Sequence, residues 1–345
     1  MKIAVLWLAL VLACFGQNYT ARQTMDHGVS IVRLTDASNR VEVKIVPSVG
    51  NRAYEMTVDG KNILDFPFTD VSELQKRPGL NGIPFLAPWA NRLSEQSFWA
   101  NNKKYIFNMG LGNVRGAIPI HGFLSSSPLW KVTEVKADQH SAHVTSRLEF
   151  WKNPDMMAQW PFAHEYQMTY SLSNGTLEVR VTVSNLSNDP MPLAIGFHPY
   201  YKIPDIPRDQ WMAHIPARQH VEVDQNLLAT GEFKASDLPD QVSLKDRKLD
   251  DGFTGLVREA DGRAHFSIES AGKKVEVMFG PKYPVSVVWA PSGPNGVPRD
   301  FICFEPMTGI TNALNLAHDG KYPELQSVPA GGQWTESFWV RPSGI

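Results

Sequence analysis

Five polar side chains stand in settings that suit proton transfer or the holding of hydroxyl groups. Glu305 ends the apolar run Phe301-Ile302-Cys303-Phe304. A carboxylate there must be paired or put to use, because an unpaired buried charge costs several kcal/mol. His198 follows the run Leu193-Ala194-Ile195-Gly196-Phe197 and is flanked by Pro199, Tyr200 and Tyr201; His121 stands before Gly122 and Phe123 in a second apolar segment. Burial of this kind favours the neutral imidazole, and the rings beside His198 would make a wall for the apolar face of a ligand. Arg92, after Asn91 and the segment Pro84–Trp89, offers a planar fork that suits two hydroxyl oxygens or one carboxylate. Asp251 in Leu249-Asp250-Asp251-Gly252-Phe253 is a second carboxylate candidate. Each group also has a purely structural reading: a satisfied core histidine, an ion-paired arginine, or a glutamate neutralised by an arginine.

The elements that must carry these groups read as strands. Leu177, Val179, Val181 and Val183 alternate with Glu178, Arg180 and Thr182, which is a half-buried strand. Met168, Tyr170 and Leu172 alternate before it, and Asn174-Gly175 between the runs marks a tight hairpin. Asp59-Gly60 and Ala271-Gly272 punctuate further runs, and others end at Val285–Trp289, Phe301–Glu305 and Trp334–Val340. The 25 glycines and 25 prolines suit many turns, and no long helical periodicity interrupts them. The expectation is an all-β chain in which residues 24–345 form one domain of stacked sheets.

Of the 345 residues, 43% are hydrophobic and 20% charged, which is ample for a packed core. A formal net charge of −2 leaves no positive excess for a phosphate backbone, so the expected partner is a small uncharged molecule rather than nucleic acid. Residues 1–16 carry Lys2, an apolar run from Ile3 to Leu12, and small residues near Gly16. That is the layout of a secretory signal cleaved after Gly16, too short to remain inserted in a membrane, and it predicts a periplasmic or extracellular protein. Lipid attachment at Cys14 is the alternative. Cleavage leaves Cys303 as the remaining cysteine, read as a buried thiol, and no metal-ligand spacing of paired cysteines or histidines occurs. Asn18, Asn174 and Asn185 each open an Asn-X-Ser/Thr pattern.

Taken in order, Asn91-Arg92, His121, His198-Pro199-Tyr200, Asp251 and Glu305-Pro306 resemble the aldose 1-epimerase family, which includes the galactose mutarotases. The resemblance runs from about Asn81 to Trp339. It implies a β-supersandwich of large antiparallel sheets with an open cleft on one of them, and no cofactor. It further implies Glu305 as general base toward the anomeric hydroxyl and His198 as general acid toward the ring oxygen. His121, Arg92 and Asp251 would bind sugar hydroxyls, with Asn91 supporting Arg92 and Tyr200 beside the ring. Gln96 and Asn102 stand where many relatives have glycine. Three other readings stay open: a hexose-6-phosphate epimerase using Lys103 and Lys104, a carbohydrate-binding protein without activity, and a secreted glycoside hydrolase using Asp251 and Glu305 as its carboxylate pair.

Overall fold

The computed structural model describes residues 18–110, 114–293 and 296–345. The leader expected over residues 1–16, with Cys14, lies outside the described residues. The fold is all-β. Among the described residues, a nine-stranded and a seven-stranded antiparallel sheet stack face to face, and a five-stranded sheet from Tyr19 to Asn62 flanks them. The first strand, Tyr19–Asp26, begins five residues ahead of the expected boundary at Thr24. It pairs along its whole length with Val29–Asp36, and the Tyr19 side chain reaches the core.

Local signals in the chain become the observed elements. The half-buried strand is Thr176–Asn185, with Leu177, Val179, Val181 and Val183 all buried. Its hairpin partner is His164–Ser173, and the turn is made at Asn174 and Gly175, with φ of 48° and 70°. Two successive positive φ values are tolerated by asparagine and glycine, and they match the twist of the flanking strands. That turn is tied down at a distance, because the Gly175 N–H donates to Asp36 Oδ2 at 2.8 Å. The helices among the described residues are short, as at Val71–Lys76, Pro154–Gln159 and Ala313–His318, and none is long and apolar enough to cross a membrane.

The nine-stranded sheet places Gln333–Ser343 in its interior, between Thr176–Asn185 and Lys273–Phe279. The seven-stranded sheet runs in the order Ala229–Ala235, Ala217–Val223, Leu249–Leu256, Val285–Ala290, Cys303–Met307, Gly196–Phe197, Phe85–Leu86. Aromatic pairs join the two layers: Phe266 lies 5.4 Å from Phe304 and Phe338 lies 4.9 Å from Phe197, centroid to centroid. One face of the seven-stranded sheet is thereby buried, and the other carries the cleft.

Candidate active site

Strand register brings the two strongest candidates together. Gly196 pairs with Met307 and Tyr201 with Ile302 in antiparallel fashion, and the same register sets His198 opposite Glu305. His198 Nε2 and Glu305 Oε1 are 3.2 Å apart, and both side chains are almost wholly buried. Residues 198 and 305, more than a hundred positions apart, meet because their strands are neighbours. Alternation then decides what each strand shows the cleft: Phe304 points into the core while Glu305 points out of it.

His121 reaches the same place on a sharp bend. Its φ is +61° and that of Gly122 is +58°. A Cβ on Gly122 would stand 2.1 Å from the Ala87 carbonyl oxygen, so only glycine lets the bend sit against the Ala87 backbone. His121 N–H donates to the Asn91 carbonyl at 2.9 Å, and Asn91 N–H donates to His121 Nδ1 at 3.2 Å. Because Nδ1 accepts, the ring proton sits on Nε2, and the imidazole is neutral with a defined tautomer. Asn91 also holds Arg92: its Oδ1 accepts from the Arg92 backbone N–H at 2.9 Å and from Nη1 at 3.1 Å.

These groups line one open cleft with a cavity volume of about 340 Å³, within the range of small-ligand sites. Tyr200 stacks on the His198 ring at 4.9 Å and 15°, and Trp289 meets that ring edge-on at 5.5 Å. On the rim, Gly79 and Ser125 are fixed from behind by Arg52. That guanidinium is fully buried and donates to the carbonyls of Gly79, Asn81 and Ser125. Burial lowers its pKa to about 10, so it stays charged at neutral pH.

Asp251 is not in the cleft, and the strand Leu249–Leu256 shows why. Leu249, Asp251 and Phe253 share one face, and Leu249 and Phe253 are core residues. Asp251 is instead bound to His220 Nε2 at 2.9 Å. The cleft carboxylate is its neighbour Asp250, which pairs across the sheet with Trp289. The carboxylate pair Asp251 and Glu305 expected of a hydrolase is therefore split between two faces of the sheet. Lys103 and Lys104 are also elsewhere, Lys104 in an ion pair with Glu95 at 2.6 Å and Lys103 over the Tyr105 ring. Among the described lining residues, Arg92 is the one guanidinium or ammonium. Gln96 and Asn102 take φ of 52° and 60°, the left-handed backbone in which glycine costs least. Cys303 is a free buried thiol packed near Tyr200 and Phe301, and burial pushes its pKa up.

Burial dominates the charge states of the central pair. It pushes Glu305 well above the usual carboxylate range, assisted by the charge of Asp250 and opposed by Arg92. It lowers His198 to about 3, with Arg92 acting in the same direction. Burial thus favours a proton on the carboxyl side of the 3.2 Å contact over one on the imidazole. Moving that proton to the imidazole gives a carboxylate and an imidazolium with the same proton count. Such a pair can take one proton and give another without exchanging either with solvent.

Known proteins share this architecture. The chain superposes on a galactose mutarotase-like protein of Clostridium acetobutylicum with a TM-score of 0.84 and 23% identity, covering 96% of this chain and 100% of that one. The galactose 1-epimerase of Lactobacillus acidophilus NCFM gives a TM-score of 0.73 at 15% identity, covering 95% and 99%. At these identities the likeness is one of fold. Over 142 residues the chain is 28% identical to the uncharacterised protein YihR of Escherichia coli K12, a match that spans 41% of this chain and 42% of that protein. The family model of aldose 1-epimerase matches residues 31–341. The chain belongs to the aldose 1-epimerase family.

Proposed function

We propose that this protein is a mutarotase that interconverts the α and β anomers of a free aldohexose such as glucose or galactose by acid–base ring opening. The observation that supports this most directly is the buried contact between His198 and Glu305 at the floor of the cleft. The form of the pair that reacts with the closed ring is carboxylate and imidazolium, reached by passing the proton from Glu305 to His198. Glu305 takes the proton of the C1 hydroxyl, O1 becomes a carbonyl oxygen, and the C1–O5 bond breaks with its electron pair on O5. His198 Nε2 delivers its proton to O5. The pair ends as carboxylic acid and neutral imidazole, the arrangement that burial favours in the empty site. Rotation about C1–C2 and the reverse steps close the ring on the other face.

In this reading His121 Nε2–H donates to O1 as charge develops there, while Arg92 and Asp250 hold other hydroxyls. Tyr200 and Trp289 give the apolar face of the ring its wall. With Arg92 alone, the cleft is poorly equipped for a phosphate dianion, which supports a free sugar over a hexose phosphate. The signal-like residues 1–16 support an exported protein.

The test is anomer exchange of freshly dissolved α-glucose and α-galactose, followed by polarimetry or NMR, for the wild type and Glu305→Gln. The variant is expected to lose nearly all exchange while sugar affinity stays within roughly tenfold, about 1.4 kcal/mol, since glutamine keeps the hydrogen bond but takes no proton. Wild-type exchange in the folded variant would rule Glu305 out as the base and favour a binding protein.

A further inference from the structure

One rim of the cleft is held by a charge paired with carbonyls alone. Arg52 opens the strand Arg52–Val58 of the flanking five-stranded sheet and is completely buried. Among the described residues its hydrogen-bond partners are the carbonyls of Gly79, Asn81 and, at 2.6 Å, Ser125, with no carboxylate. A guanidinium buried without a carboxylate is costly, so these carbonyls are drawn firmly onto it. The backbone makes room for one of them at Gly50, where φ is +71° and a Cβ would lie 2.0 Å from the Ser125 carbonyl oxygen.

In a trans peptide the C=O and the following N–H point in opposite directions. With the Gly79 and Ser125 carbonyls turned inward onto Arg52, the N–H groups of Leu80 and Ser126 are turned the other way, toward the cleft that both residues line. Neither N–H has an acceptor among the described residues. The third peptide is already used, since Gly82 N–H donates to the Asp65 carbonyl at 3.2 Å. Ser125 and Ser126 are the central residues of a turn closed by Ser127 N–H to the Leu124 carbonyl at 3.1 Å, and the peptide between them takes no part in that bond. The charge on Arg52 polarises both rim peptides and strengthens their N–H groups as donors.

We propose that the Leu80 and Ser126 N–H groups, aimed and polarised by Arg52, hold the C6 oxygen of the hexose, which makes Arg52 a positioning residue and the protein selective for aldoses that carry a 6-hydroxyl; this rests on the reading of Glu305 and His198 as the acid–base pair. C6 stands on C5, which is bonded to O5, so it leaves the sugar ring on the side that His198 serves. Tyr200 stacks on His198, and Leu80 packs against the cluster that holds Tyr200, so the path from the ring oxygen leads to this rim.

Anomer exchange by NMR should be measured on glucose and galactose and on their 6-deoxy counterparts, for the wild type, Arg52→Met and Arg52→Lys. Ser126→Pro, which deletes one donor and keeps the guanidinium, stands in if the Arg52 variants fail to fold. The wild type is expected to prefer the 6-hydroxylated sugar of each pair by about tenfold or more in kcat/KM, mostly through KM. Arg52→Met should narrow that preference to within about threefold, the loss falling on KM for the hydroxylated sugars, and Arg52→Lys should restore part of it. A residue that only supported the fold would lower both members of a pair alike and leave their ratio where it was. Equal turnover of the hydroxylated and 6-deoxy sugars by the wild type would overturn the proposal, as would an unchanged ratio in the folded variants. No exchange on any sugar would instead bring down the mutarotase reading itself, and the role of the rim with it.

Discussion

Glu305 is uncomfortable where it stands, and this is measurable apart from activity. Its folded pKa lies above the ordinary carboxylate value because burial penalises the ion. The native state therefore holds the proton longer than the unfolded chain does. The associated stability is complete at acid pH and is lost as pH rises from the ordinary carboxylate value toward the folded one, at up to about 1.4 kcal/mol per pH unit. Glu305→Gln has no proton to lose. The variant is expected to gain on the wild type in urea unfolding as pH is raised from 5 to 8, while its anomer exchange collapses. Parallel stability curves for the two proteins would show that the carboxylate is not under this strain. His198 works in the opposite sense: its pKa is depressed to about 3, so its contribution is present above the ordinary imidazole value and is lost as pH falls toward 3. Burial thus presses both residues toward their uncharged forms.

At the scale of elements, a strand's two faces separate adjacent residues by function. Asp250→Asn should lower kcat/KM by the worth of a charge-assisted hydrogen bond, about 1.5–3 kcal/mol. Asp251→Asn should leave turnover unchanged and lose at most about 1 kcal/mol, since its contact with His220 is partly exposed. Comparable kinetic losses in both would contradict the assignment of faces. This distinction was present in the sequence, because Leu249 and Phe253 flank Asp251 with period two and mark its side as apolar. The alternation of Thr176–Asn185 and its Asn-Gly turn were readable for the same reason: period and turn chemistry act over a few residues. Trp289 was legible as part of a strand but not as part of the site, since its place beside His198 comes from pairing between Val285–Ala290 and Cys303–Met307. The positions of Gly79 and Ser125 on the rim depend on Arg52, an arginine that nothing near it in sequence marks as buried.

At the scale of the molecule, the site is gathered from segments between Pro78 and Glu305, and the larger sheet is completed from further still. The strand Gln333–Ser343 lies between two others and buries Trp334, Phe338 and Val340. A chain lacking residues 333–345 is expected to lose its cooperative thermal transition and its near-ultraviolet circular dichroism, because two ladders and part of the inter-sheet core go with that strand. A truncated chain that still melted cooperatively would show the strand to be an accessory. The same feature bears on how the protein is made. As the chain emerges from the ribosome, Thr176–Asn185 and Lys273–Phe279 are available long before the strand that separates them, and each presents an unpaired edge open to other chains. Yield during synthesis should then depend on how long those two edges wait, and on whether a chaperone covers them, more than on how stable the finished sandwich is.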